Sequence, residues 1–350
     1  MKKILSVILA VLILSSCAVL FSACSGSKSG EYPVTIGDIT VKSEPKNIVV
    51  LNDNLADIIS YIGYDVKMVG RGIACDQDFL KVVPSVGSAD NPSIDTIQSY
   101  ETDLVIADNT LNEKSRAKLE EAGITVISFE TPNSFEELET LYVNLGTVLG
   151  GNVTGSEKGA EGYEDLISTL ASFKKAVSGV IKTVAYLYIE QNGQLCTFPA
   201  GSIQAEILSY TGALNIFANE ETEVIDPAQL KMGTPTYIFY DSEDVPGYLR
   251  NDESLSTLSA LNSERTAMIP LKNFYRMGTT MEDTVFNMTN IMFVQSETEA
   301  ATPDEVAPSE TLGELTPPDE EPEEEEEEDS EDGDSYAYNY TYDEYGNIIY

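Results

Sequence analysis

Histidine is absent from all 350 residues. Metal sites built on imidazole and His-based nucleophilic triads are therefore excluded. Cysteine is scarce: Cys17 and Cys24 lie near the start, which leaves only Cys75 and Cys196 in the body. Two distant cysteines make neither a disulfide framework nor a zinc site, and both read as ordinary thiols. Basic residues are few as well, 20 Lys and Arg against 59 Asp and Glu, for a formal charge of −39. From Ile291 to Tyr350 there is no Lys or Arg, and 21 of the acids lie there; the other 38 acids face all 20 bases. Nucleic-acid binding needs a basic footprint that this chain lacks. No nucleophile motif or phosphate loop is evident. Asp53, Asp108 and Asp241 could do acid–base work, but nothing around them in sequence marks an enzyme.

The first residues carry an export pattern: Lys2 and Lys3, then a mostly apolar run from Ile4 to Phe21. Phe21-Ser22-Ala23-Cys24, followed by a polar linker, resembles a bacterial lipoprotein box whose Cys receives lipid. Leu14-Ser15-Ser16-Cys17 fits the same box. Cys24 is the preferred anchor, because lipidation at Cys17 would leave Ala18 to Phe21 exposed after cleavage. An uncleaved membrane anchor is the alternative, since about 20 apolar residues are enough to span. Both place the body outside the cytoplasmic membrane.

The body divides around residues 156–178. Tyr163, Leu166, Ile167, Leu170, Phe173 and Val177 recur at spacings of three and four, which predicts one long amphipathic helix. Ser156 is its expected cap, and Lys174 and Lys175 suit its negative end. A short hairpin is expected within residues 25–44, around Gly37-Asp38. On each side of the long helix, over 45–151 and 181–295, short apolar runs alternate with helical stretches. That alternation predicts an α/β fold: two Rossmann-like lobes with mainly parallel sheets, joined by the strut helix 156–178. Ligands on such sheets bind at the carboxyl ends of the strands. The residues there are Asn52, Asp53, Arg71, Ser88, Asp108 and Asn109 in the first lobe, and Gly201, Ser202, Asp241, Tyr275 and Arg276 in the second. Each also reads as turn or cap chemistry. Arg71 and Arg276 are two of only five arginines, and suit the oxygens of an anionic ligand. Tyr275 is placed to stack on a flat one. Residues 296–350 are Pro- and Glu-rich, expected as a disordered acidic tail, and end in alternating tyrosines that offer an edge strand.

Several segments carry a family resemblance. Val86-Gly87, Asn91-Pro92-Ser93-Ile94-Asp95-Thr96-Ile97 and Asp103-Leu104-Val105-Ile106 occur in order, with weaker matches at Pro45 to Val49 and Gly212 to Asn215. Ala228-Gln229-Leu230 and Pro235-Thr236-Tyr237-Ile238 add a further pair. Over about 45–293 the chain resembles the substrate-binding lipoproteins of ABC importers for ferric siderophores, haem and cobalamin. The resemblance implies a class III periplasmic-binding-protein architecture, no catalysis, no resident cofactor and no metal of its own. It implies a monomer that captures an iron chelate, foremost a ferric siderophore, or a corrinoid, and delivers it to an ABC permease and its ATPase. Asp95 matches an acid that docks on the permease, whereas Ala228 stands where the second lobe's acid would be. That departure keeps open an alternative, a surface interaction protein that has lost transport.

Overall fold

The computed structural model describes residues 31–295 and, as backbone, residues 341–342 and 348–349. The expected leader with Cys17 and Cys24, and the acidic run, lie outside the described residues. A hairpin of β1 (Val34–Ile36) and β2 (Ile39–Val41) comes first among the described residues. The first lobe then runs β3 (Ile48–Val50), α1 (Asp53–Tyr61), β4 (Met68–Arg71), a small pair β5 (Gly87–Ser88) and β6 (Asn91–Pro92), and α2 (Ile94–Ser99). It continues with β7 (Leu104–Ala107), α3 (Glu113–Glu121), β8 (Thr125–Ser128) and α4 (Phe135–Gly150). The strut is α5 (Thr154–Ala176). The second lobe follows as β9 (Thr183–Ile189), β10 (Leu195–Cys196), α6 (Ile203–Ser209), β11 (Leu214–Asn215), α7 (Pro227–Gly233), β12 (Tyr237–Tyr240), α8 (Asp244–Asn251), α9 (Ser259–Asn262), β13 (Thr266–Met268) and α10 (Thr279–Thr289). A π-helical turn continues from Asn290 to Gln295. Separately, β14 (Thr341–Tyr342) and β15 (Ile348–Ile349) pair antiparallel.

Both lobes hold parallel sheets. The first has the order β4-β3-β7-β8; the second has β9, β12 and β13 parallel, with antiparallel β10 at one edge and β11 beside the start of β9. Alternate residues explain why these strands read as unbroken apolar runs. In β3 and β7, Ile48, Val50, Leu104 and Ile106 face one core while Val49, Val105 and Ala107 face another. In β9 and β12, Val184, Tyr186 and Phe239 face the first of these cores, and Ala185, Leu187 and Ile238 a third. The core shared by both lobes is continuous through α1, α4, α5 and α10.

The strut begins two residues before the predicted Ser156, and its cap is remote. The Glu31 carboxylate accepts from the Val153 N–H (2.9 Å) and the Thr154 hydroxyl (2.6 Å), which places negative charge on the helix's positive end. The Ser156 hydroxyl instead donates to Asn152 O (2.7 Å). Against α4 the strut lies at backbone contact. A Cβ at Gly146 would stand 2.2 Å from Gly155 O, and one at Gly159 2.3 Å from Tyr142 O. Two local features of the second lobe have clear causes. Helix α9 starts only at Ser259, because Asp252 Oδ1 takes the N–H groups of Ser254 and Leu255 in a turn before it. In α8, Pro246 sits near the start, where a missing N–H costs nothing, and Val245 and Leu249 are buried.

Candidate functional site

The site is built where the two sheets' carboxyl ends are joined. After β13 the chain runs from Ile269 to Gly278 and touches both lobes. At its beginning the Leu271 N–H donates to Asp241 Oδ1 (2.6 Å), at the end of β12. At its end Arg276 reaches the ends of β3 and β4. Its Nε donates to Asp53 Oδ2 (2.8 Å), and its terminal nitrogen to Ala74 O (3.0 Å) and to the Asp76 carboxylate. Lys272 Nζ also reaches Asp76, at 2.6 Å. Arg276 is 4% exposed. Burial pushes the Asp76 carboxyl up, but hydrogen bonds and charge from Lys272 and Arg276 outweigh it and hold the group at about 2.

Beneath this clamp, α1 fixes the start of α10. Gly278 supplies no side chain to cap it. The buried Asp57 carboxylate does so instead, accepting from the Gly278 N–H (2.8 Å), the Thr280 N–H (3.1 Å) and the Thr280 hydroxyl (2.7 Å). Burial raises its carboxyl to about 6, against the pull of those three donors. Asn54 Oδ1 takes the Met277 N–H (2.8 Å), and the Tyr142 hydroxyl donates to Met277 O (2.6 Å). The lobes thus meet through satisfied polar groups rather than through apolar contact alone.

The structure brings some sequence-predicted residues together and separates others. Asn52 caps α1 through its oxygen and donates to Asp108 Oδ2 (2.7 Å). Asp108 also accepts from the Thr110 hydroxyl. With Asp53 these form a polar edge at the ends of β3 and β7. Asn109 is exposed beside it. Ser88 is half-buried in the β5–β6 pair. Tyr275 is 41% exposed; burial first, then the Glu223 charge, raises its phenol. Next to it in the chain, Phe274 packs edge-on against the stacked pair Tyr186 and Phe198, with ring centroids 4.6–4.7 Å apart. Asp95 is exposed on α2, beside a shallow pocket that Lys118 also lines.

Several of the predicted positions have partners or surroundings within the protein itself. Arg71 is turned into its own loop: its Nε donates to Leu80 O (3.0 Å) and Val83 O (2.9 Å), which pins the 72–84 loop, and one terminal nitrogen lies 3.4 Å from Gly72 O. Arg276 is likewise taken up by Asp53 and Asp76. Gly201 and Ser202 line a groove of about 420 Å³ that follows α6 to β11 and also holds Lys174, Glu206 and Asn215. Leu214 pairs with Thr183 at the start of β9, so the groove extends to the opposite end of the sheet. Ser202 acts as the cap of α6, accepting from the Ala205 N–H. Cys75 and Cys196 are both free and buried, and burial together with the Asp53 charge pushes the Cys75 thiol up to about 12. Sequence reasoning missed Asp57, Asp76 and Lys272. No motif marks them, since their partners are about 200 residues away.

Two parallel-sheet lobes, one connecting helix and a polar junction at the strand ends define a two-lobed solute-binding protein. A family model described as periplasmic binding protein matches residues 48–268, more than half of the chain. The chain belongs to that family, whose members bind solutes and are not enzymes. Among its relatives is the uncharacterized ABC transporter substrate-binding lipoprotein YvrC of Bacillus subtilis, 25% identical over 258 residues, which span 68% of this chain and 78% of the relative. A cobalamin-binding protein of Halobacterium salinarum is 27% identical over 148 residues, 40% of each chain. The crystal structure of an ABC transporter substrate-binding protein from Listeria monocytogenes superposes with a TM-score of 0.53 at 17% identity, covering 72% of this chain and 99% of that one.

Proposed function

We propose that this chain is the extracytoplasmic substrate-binding lipoprotein of an ABC importer. Lipid on Cys24 holds it to the membrane, and it captures an iron complex, foremost a ferric siderophore, or a corrinoid. The ligand sits between the lobes and is handed to the permease, with Asp95 as one docking charge on the first lobe. The observation that carries this reading is the juxtaposition of both sheets' carboxyl ends along residues 269–278, in a chain of the periplasmic binding protein family. Lobe motion is expected to be small, because the strut, the Arg276 clamp and the Asp57 cap all join the lobes.

A melting screen tests it. A ligand specific for the folded state, at 100 times its dissociation constant, adds about 2.7 kcal/mol. One of a ferric hydroxamate, a ferric catecholate, haem or a cobamide should raise the melting temperature by several degrees. A cooperatively melting protein that none of them shifts would count against transport and for a surface interaction protein.

A further inference from the structure

We propose that the cleft selects metal chelates without net negative charge, neutral or cationic, and excludes polyanionic ones. The inference rests on the importer reading above and names the ligand class of that site. Its basis is which charges at the strand ends are already spent. Arg71, Lys272 and Arg276 all donate to protein oxygens: Arg71 to two loop carbonyls, Lys272 to Asp76, and Arg276 to Asp53 and Asp76. The carboxylates there meet neutral donors rather than cations: Asp108 accepts from Asn52 and Thr110, and Asp241 from the Leu271 N–H. Asp108 follows β7, Glu130 follows β8, Asp241 follows β12, and Glu223 lies beside Tyr275 and Tyr188. None of the four forms an ion pair among the described residues. Lys174 stands apart in the groove along α6, with Glu206 on the same wall.

The neutral groups point the same way. Gln77, in the loop after β4, is 6% exposed; its Nε2 donates to Asp53 O (2.9 Å), while its buried Oε1 has no donor. A buried unpaired acceptor favours a ligand that brings an N–H or O–H. Ile73, 64% exposed just past β4, and Tyr275 offer apolar and aromatic surface at the two sheets' ends. Bringing a multiply charged anion against these carboxylates meets repulsion, because Lys272 and Arg276 are already paired and Arg71 and Arg116, at the ends of β4 and β8, are held by protein oxygens.

The test is a tyrosine-fluorescence titration of the full chain with four probes. They are a cationic ferric linear trihydroxamate, neutral cyanocobalamin, a trianionic ferric tris-catecholate and anionic ferric citrate. The proposal expects a neutral or cationic probe to bind, with both anions at least about 100-fold weaker. The double variant Glu130→Gln, Glu223→Gln should narrow that gap about tenfold. Tightest binding by either anion overturns the charge inference while leaving the importer reading standing. Binding of none of the four, by a protein that melts cooperatively, overturns this inference, and the importer reading then falls too if haem also fails in the melting screen.

Discussion

Replacing Arg276 with Met should destabilise the protein by about 3 kcal/mol. The side chain is 5% exposed and joins the lobes by ion pairs to Asp53 and Asp76. Methionine keeps much of the bulk but leaves Asp53 without its cation, Asp76 with Lys272 alone, and Ala74 O without its donor. The loss sits at the lower end for a broken buried pair, because the Asp53 and Asp76 side chains are 26% and 50% exposed and water screens them. Lysine should not rescue, since an ammonium cannot match the fork that serves three oxygens at once. Denaturant melts of Arg276→Met, Asp53→Asn with Asp76→Asn, and the triple variant test this. The triple should recover part of the loss, because no carboxylate is then left without its cation, although Ala74 O and the exposed Lys272 still lose their partners. A single Arg276→Met variant as stable as the parent would show that the clamp holds nothing.

Gly159→Leu should cost at least as much, on the order of 3 kcal/mol or more, for a different reason. Here backbone meets backbone: the added Cβ would fall 2.3 Å from Tyr142 O and 2.9 Å from Val143 Cα. No side chain can swing aside, so α4 and α5 must separate along the seam that Gly146, Gly155 and Gly159 create. A fall in melting temperature of about 10 °C is expected for a body of this size. Gly159→Ala should fall between parent and Leu. Gly247→Ala is the control: it lies in α8 with nothing within 4 Å, and alanine there should gain a few tenths of a kcal/mol from helix propensity. Equal behaviour of Gly159→Leu and Gly247→Ala would mean that the helices are not in contact as described.

The two glycine replacements also show what the sequence conceals. Apolar spacing makes the strut legible, and unbroken runs such as Leu104 to Ala107 make the parallel strands legible, because both signals are local. The seam is written only as Gly146-Gly150 and Gly155-Gly159-Gly162. Those spacings look like poor helix formers until the two helices are laid together. The cap of the strut is hidden for the same reason: Glu31 lies some 120 residues before Val153. Loop positions at strand ends are predictable from the alternation, which is why Asn52, Asp53 and Asp108 meet. Whether an arginine there is free is not. Only the fold shows that Leu80 O and Val83 O already hold Arg71, and that Asp76 holds Arg276.

Amide hydrogen exchange with and without a ligand that raises the melting temperature tests the central claim most directly, because it locates the site as well as detecting binding. Bound ligand should slow exchange at the strand ends of both lobes together, around 72–77 and 108–111 in the first and 241–242 and 269–276 in the second. Protection confined to one lobe, or to the groove between α6 and β11, would contradict a site between the lobes.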